Sequence, residues 1–166
     1  MDWNESIERF SNLDGVIVTV GPTDTGKSTW VERVCQSCND DPWTVVSGDL
    51  GQAAFGGPGL LSSAAYPGDT TSLESLTPDS CYFIGSFQPG GRFLQTIDGL
   101  TRLTMEARNR NQRMLIDTDG FIEGGAAREY KRILISRLSP AHAVFFGSSP
   151  ELEPLRTWCR RIDTLQ

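Results

Sequence analysis

Residues 21 to 28 read Gly-Pro-Thr-Asp-Thr-Gly-Lys-Ser, with Thr29 next. Two glycines five residues apart, then a lysine and a hydroxyl residue, fit G-x-x-x-x-G-K-S/T at every fixed position. Glycine lets a backbone wrap closely around phosphate oxygens and turn its amides inward. A helix beginning at Lys27 adds the positive end of its dipole. Lys27 is then placed to reach the β- and γ-phosphates, and the Ser28 hydroxyl to ligate Mg²⁺. Gly21, Pro22, Thr23, Asp24, Thr25, Gly26, Lys27, Ser28 and Thr29 are thus read together as a loop that holds a nucleoside triphosphate. Magnesium needs further oxygen ligands. Asp49 and Asp117 each follow or end an apolar run, and each is either such a ligand or a strand-end cap.

The elements that must position these groups follow from pattern. Residues 1–14 hold an N-terminal amphipathic helix over 3 to 13, with Trp3, Ile7, Phe10 and Leu13 at helical spacing. The run GVIVTV (15–20) is a β-branched strand buried on both faces. The loop follows, then a helix from about Lys27 to Cys38. WTVVSG (43–48), CYFIGS (81–86), RMLIDT (113–118) and AHAVFFG (141–147) are further strands. Helices are expected over 91–110 and 125–138, and a last one from Pro150, kinked at Pro154. Residues 51–80, including the Gly/Pro/Ser-rich stretch 53–80, read as a long loop with one short helix. Strands alternating with helices predict an α/β fold of the P-loop NTPase kind: three αβα layers around a mainly parallel sheet, in one domain spanning 1–166. Ligands of such sheets bind along the carboxyl edge of the strands, where Asp49 and Asp117 fall.

Bulk properties narrow the classes. A chain of 166 residues with 38% hydrophobic and 22% charged content is that of an ordinary globular domain. No apolar run suits a membrane helix, and MDWNESIERF lacks the basic-then-apolar form of a signal peptide, so the cytoplasm is the expected compartment. Cys35 and Cys38 form a C-x-x-C without a matching pair, which argues against zinc. His142 is the one histidine, so a His-based triad lacks support. Net charge is −6. From Arg92 to Arg137 nine Lys/Arg meet six Asp/Glu, a local balance of +3 that leaves −9 elsewhere. Any nucleic-acid surface belongs in that middle region. Arg102, Arg108, Arg110 and Arg113 are either a strand-tracking patch or a solvated helix face. Phe87 either stacks on a base or packs in the core. Thirteen of the fifteen basic residues are arginine, leaving Lys27 and Lys131 as the only lysines.

Five stretches together carry a resemblance: GPTDTGKST, SGDLGQAAFGGPG, YFIGSFQPGGRFLQTIDGL, LIDTDGFIEGG and LSPAHAVFF with ELEPL. The chain resembles the polyribonucleotide 5′-hydroxyl-kinase family, whose members include RNA 5′-kinases of pre-mRNA cleavage, tRNA splicing and rRNA processing. The Trp-bearing first helix is similar to the prokaryotic branch. The Walker A loop alone is shared by many ATPases; joined to D-x-G-Q it is far more specific. The resemblance implies Mg²⁺-dependent transfer of the γ-phosphate of ATP to the 5′-hydroxyl of RNA or DNA. It implies Lys27 and Ser28 as triphosphate and metal contacts, with Asp24 inside the loop. Asp49 is implied as metal organiser and as acceptor of the hydroxyl proton, and Gln52 as an orienting amide or a turn residue. DTDG (117–120) also resembles the D-x-x-G of GTPases, in which the glycine, here Gly120, senses a γ-phosphate. The N-K-x-D element that reads guanine is missing from the sequence.

The sequence departs from the family pattern in three places. Ser47 replaces the first acid of D-x-D-x-G-Q. PGGRF replaces a small polar clasp, which makes Arg92 a candidate phosphate contact. The arginine-bearing lid and a C-terminal RNA-binding region are expected to be missing, since Arg156 and Arg160 lie earlier than lid arginines should. Three functions stay open at this point: the kinase, an ATP-binding kinase-like scaffold with little transfer, and another P-loop ATPase or small-molecule ligase of dethiobiotin-synthetase type.

Overall fold

The structure, a computed structural model, describes residues 2–37, 43–68, 71–109, 113–159 and the backbone of 163–165. Helix α1 (Trp3–Ser11) starts at a capping box, Asp2 taking the Trp3 amide and Glu5 reaching back to the Asp2 amide. Strand β1 (Val16–Val20) is buried throughout. Its β-branched residues suit a central strand covered on both faces. Helix α2 (Lys27–Gln36) leaves the glycine loop with Trp30, Val31, Val34 and Cys35 inward. Strand β2 (Thr44–Gly48) is again wholly buried. Strands β3 (Leu60–Ala65) and β4 (Ser80–Phe83) follow, then α3 (Phe93–Arg108), β5 (Met114–Thr118), α4 (Gly124–Leu138), β6 (His142–Phe145), α5 (Glu153–Trp158) and β7 (Asp163–Leu165).

The seven strands order β4-β3-β2-β5-β1-β6-β7. Strands β2, β5, β1, β6 and β7 run parallel, whereas β3 and β4 are antiparallel to their neighbours. Each face of the sheet has its own core. On one, Val18, Val46 and Ile116 pack with Leu100, Leu103, Leu134 and Ile135 of α3 and α4. On the other, Ile17, Val45 and Leu115 pack with Phe10, Trp30 and Val34 of α1 and α2. The expected three layers are therefore present.

Several expectations need correction. The stretch 51–80 is not one long loop, because Leu60–Ala65 forms β3 and Leu73–Ser75 a 3₁₀ turn. The sequence LLSSAA hides its strand: small polar residues have weak β-propensity, and their burial comes from β2 on one side and β4 on the other. CYFIGS shortens to Ser80–Phe83 and is an antiparallel edge strand, with Phe83 76% exposed. The last helix is short, after a 3₁₀ turn at Pro150–Leu152. Strand β7 has no counterpart in the expected elements. Cys38, Arg110 and Arg160 lie outside the described residues. Among those described, no helix is long and apolar enough to cross a membrane.

Candidate active site

The loop after β1 is built by close backbone approach. A Cβ on Gly21 would come 2.6 Å from the Phe146 carbonyl oxygen, so only glycine lets the loop lie against the end of β6. Asp24 (φ 59°) and Gly26 (φ 87°) adopt left-handed conformations, and Gly26 caps α2. Such left-handed turns gather successive amides into an anion-binding concavity. Thr25 Oγ1 and Lys27 Nζ both donate to the Pro22 carbonyl, at 2.8 and 2.6 Å. Lys27 is 6% exposed. Burial pushes its ammonium pKa down; Asp117 and Asp49 push it up, and Lys131 acts with burial.

Asp117, at the end of β5, is placed by the sheet register opposite Thr19 of β1 and Ser47 of β2. Its carboxylate accepts from the Ser28 hydroxyl at 2.5 Å and from Thr19 Oγ1 at 3.0 Å. Burial raises its pKa, while the Ser28 bond, the Lys27 charge and the Thr19 bond oppose that rise. Asp49 follows β2 directly. Its Oδ1 accepts the Gly51 and Gln52 amides, both at 2.9 Å, which fixes the turn and leaves Oδ2 outside these two bonds. Asp49 and Gln52 share with Thr23, Asp24, Lys27 and Ser28 a cavity of about 320 Å³.

A second cavity of about 270 Å³ shares Thr23, Asp49 and Gln52 with the first, and adds Phe87, Gln88, Pro89, Gly120 and Phe121. Phe87 is 72% exposed, so the core alternative for it is set aside. Phe121 is braced by Phe93, with centroids 5.8 Å apart, and Phe93 stacks on Tyr130 at 4.9 Å. Gly120 presses on the loop: a Cβ there would lie 2.2 Å from Thr23 Oγ1 and 2.4 Å from its amide nitrogen. The Gly120→Ala variant should therefore displace the phosphate loop. Calorimetry should show triphosphate affinity falling about tenfold or more, with a stability loss of about 1–3 kcal/mol by overpacking. Unchanged affinity would contradict this contact.

Asp119 went unnoticed in the sequence. It is 3% exposed, pairs with Lys131 Nζ at 3.0 Å, and accepts from the Tyr130 hydroxyl at 2.7 Å and the Phe121 amide at 2.9 Å. Lys131 also donates to Thr118 Oγ1 and the Asp119 carbonyl. The available signal was Lys131 falling on the inward stripe of α4 with Ala127, Leu134, Ile135 and Leu138.

Other candidates are not brought to the site. Arg92 is exposed at the start of α3 and lines neither cavity. The middle arginines face different ways. Arg102 pairs with Asp98, Arg108 donates to the Leu138 and Ser139 carbonyls, and Arg113 lies over Trp43 and bonds the Ser11 carbonyl. They form no common patch among the described residues. Arg156 is held by Glu153 and the Gly147 carbonyl. His142, half-buried at the start of β6, meets the Phe10 ring edge-on. Cys159 is buried, which pushes its thiol up to about 11.

The family model described as mRNA cleavage and polyadenylation factor CLP1 P-loop matches residues 21–166. The chain belongs to the CLP1 P-loop family. Relatives named polyribonucleotide 5′-hydroxyl-kinase agree with the resemblance carried by the motifs. The one from Pyrococcus horikoshii is 29% identical over 152 residues, covering 89% of this chain and 42% of the relative. That from Thermococcus kodakarensis is 32% identical over 138 residues, covering 82% and 39%. The chain thus spans less than half the length of the curated relatives it matches. A solved complex of Clp1p with Pcf11p shares the fold, with a TM-score of 0.73 at 17% identity over 96% of this chain and 46% of that one.

Within this CLP1 P-loop domain the donor set suits Mg²⁺. No group of three or more His, Cys, Asp or Glu clusters as a cage among the described residues. Magnesium instead takes one or two carboxylates together with phosphate oxygens and water. Asp117 and Ser28, already in contact, with Asp49 across the cavity, provide hard oxygens of that kind.

Proposed function

We propose that this domain is the catalytic part of a polynucleotide 5′-hydroxyl kinase, moving the γ-phosphate of ATP to the 5′-hydroxyl of RNA or DNA. The observation that carries this is the pair of joined cavities. One is lined by the phosphate loop and the other by Phe87 and Phe121, with Asp49 on the wall of both. A γ-phosphate in the first and a nucleotide 5′ end in the second would meet at Asp49.

In this reading the loop amides and Lys27 hold the β- and γ-phosphates, and Lys27 exchanges its Pro22 carbonyl for phosphate oxygens. Ser28, Asp117 and Asp49 would hold Mg²⁺, which when bound would neutralise charge on the transferring group. The Asp49 carboxylate accepts the proton of the 5′-hydroxyl as its oxygen bonds the γ-phosphorus. The bond from that phosphorus to the β–γ bridging oxygen breaks, and ADP leaves. Positioning and charge neutralisation supply most of the acceleration in such transfers. Gly120, pressed on Thr23, brings its amide beside the γ-phosphate position. Phe87 and Phe121 give the terminal base π faces to stack on, which favours a nucleotide acceptor over the small molecule of a ligase. Cys81 and the buried Cys159, both free thiols, suit the cytoplasm.

One observation favours the scaffold reading. Ser47 stands beside Asp117 in the sheet, and its hydroxyl accepts the Ala54 amide at 3.1 Å, so an acid of the family pattern is replaced by a neutral, structurally used group. The separating experiment offers γ-labelled ATP to 5′-hydroxyl RNA, 5′-hydroxyl DNA, and small dicarboxylic and amine acceptors. Label on an oligonucleotide 5′ end, lost in Lys27→Ala, is the expected result. ATP binding without transfer would install the scaffold, and label on a small acceptor would install the ligase.

A further inference from the structure

Trp3, the first residue of α1, is 40% exposed. Single exposed aromatics are ordinary; what sets this one apart is where it sits. A Cβ on Gly26 would meet the indole Cη2 at 3.2 Å and Cζ3 at 3.7 Å, so the six-membered ring rests on the last turn of the phosphate loop. Phe146, just past the end of β6, meets it edge-on with centroids 6.1 Å apart, and Phe146 packs in turn on buried Trp30 at 5.8 Å. The α1 capping box fixes the backbone at this point.

The sheet order gives the seat a direction. Asp49 and Gly120 come from β2 and β5, on one side of β1, and Phe146 and Gly147 follow β6 on the other. A triphosphate whose terminal group faces Asp49 and Gly120 carries its nucleoside away from them, toward the β6 side. Gly147 lies beside the loop on that side, where a Cβ would be in ordinary contact with Thr25 at 3.6 Å and Pro22 at 3.7 Å. We propose that Trp3 is the stacking platform for the nucleobase of the bound triphosphate. This rests on the reading of the loop as a triphosphate site and adds where the nucleoside lies. Trp3 and Phe146 offer ring faces and edges and no acceptor for a base edge, so the platform holds purines without choosing between them.

The test compares Mg-ATP, Mg-GTP and Mg-tripolyphosphate by calorimetry, on the full chain and on Trp3→Leu and Trp3→Phe. Leucine keeps apolar packing on Gly26 and removes the aromatic plane. The expected result is about a tenfold loss of affinity for both nucleotides in Trp3→Leu, with tripolyphosphate unchanged and Trp3→Phe recovering most of the loss. An equal loss for all three ligands assigns Trp3 to loop structure and overturns the inference. So does unchanged nucleotide affinity, or an unmodified chain that binds tripolyphosphate as tightly as ATP. Binding of neither ATP nor tripolyphosphate by the unmodified chain overturns the loop reading as well.

Discussion

Replacing Asp49 by asparagine is expected to cut phosphoryl transfer about 10²–10⁴-fold while leaving ATP affinity within a few-fold. The variant is clean because one oxygen does the structural work. Oδ1 accepts both the Gly51 and Gln52 amides, and an asparagine Oδ1 can accept the same two. The turn should therefore survive, and only the second oxygen, with its charge, is lost. ATP affinity should change little, since the loop amides and Lys27 carry most of the triphosphate contact. Single-turnover transfer measured beside calorimetric ATP binding separates the two effects. An unchanged rate would remove Asp49 from the chemistry. Equal losses of rate and affinity would make it a binding residue.

Lys131→Met should be the most destabilising single change near the site, costing about 3–5 kcal/mol because it strands a buried carboxylate. Lys131 is fully buried and is the charged partner of Asp119. The Tyr130 hydroxyl stays a donor to that carboxylate, since burial and then the Asp119 charge push its pKa well up. It cannot replace a positive charge. The thermal midpoint should fall about 10 °C for a domain of this size. The double variant Lys131→Met with Asp119→Asn should recover part of the loss, because no unpaired charge remains. Denaturant unfolding of the parent, Lys131→Met, Asp119→Asn and the double variant measures this coupling, and Lys131→Met within about 0.5 kcal/mol of the parent would contradict it. Because Asp119 precedes Gly120, the network also holds the turn that presses on Thr23.

What the sequence made legible follows from where physics is local. Strands β1 and β5 are short apolar runs that must be buried, and the loop between β1 and α2 is specified by residues adjacent in the chain. Both were readable, as was the meeting of Ser28 with Asp117, which follows from strand ends on one sheet edge. Strand β3 was not, because Ser62, Ser63 and Ala64 are strand residues only through β2 and β4 beside them. Asp119, just past the end of β5, was not, because its partner Lys131 lies 12 residues on in the chain, inside α4. The arginines pointed the wrong way for the same reason. Composition gathers them between 92 and 137, but the fold spends Arg108 and Arg113 on carbonyls far apart in the chain. For Phe87 a core place stayed open because it follows the expected strand 81–86 directly, but the strand ends at Phe83 and leaves the Phe87 ring exposed.

The central claim is that the loop from Gly21 to Ser28 presents the end of a triphosphate to Asp49. A crystal structure of the chain with Mg²⁺ and a non-hydrolysable ATP analogue tests it most directly. The account predicts the terminal phosphate between Lys27 and Asp49, with the metal held by Ser28, Asp117 and Asp49. A bound analogue whose terminal phosphate turns away from Asp49, or density only outside this loop, would contradict it.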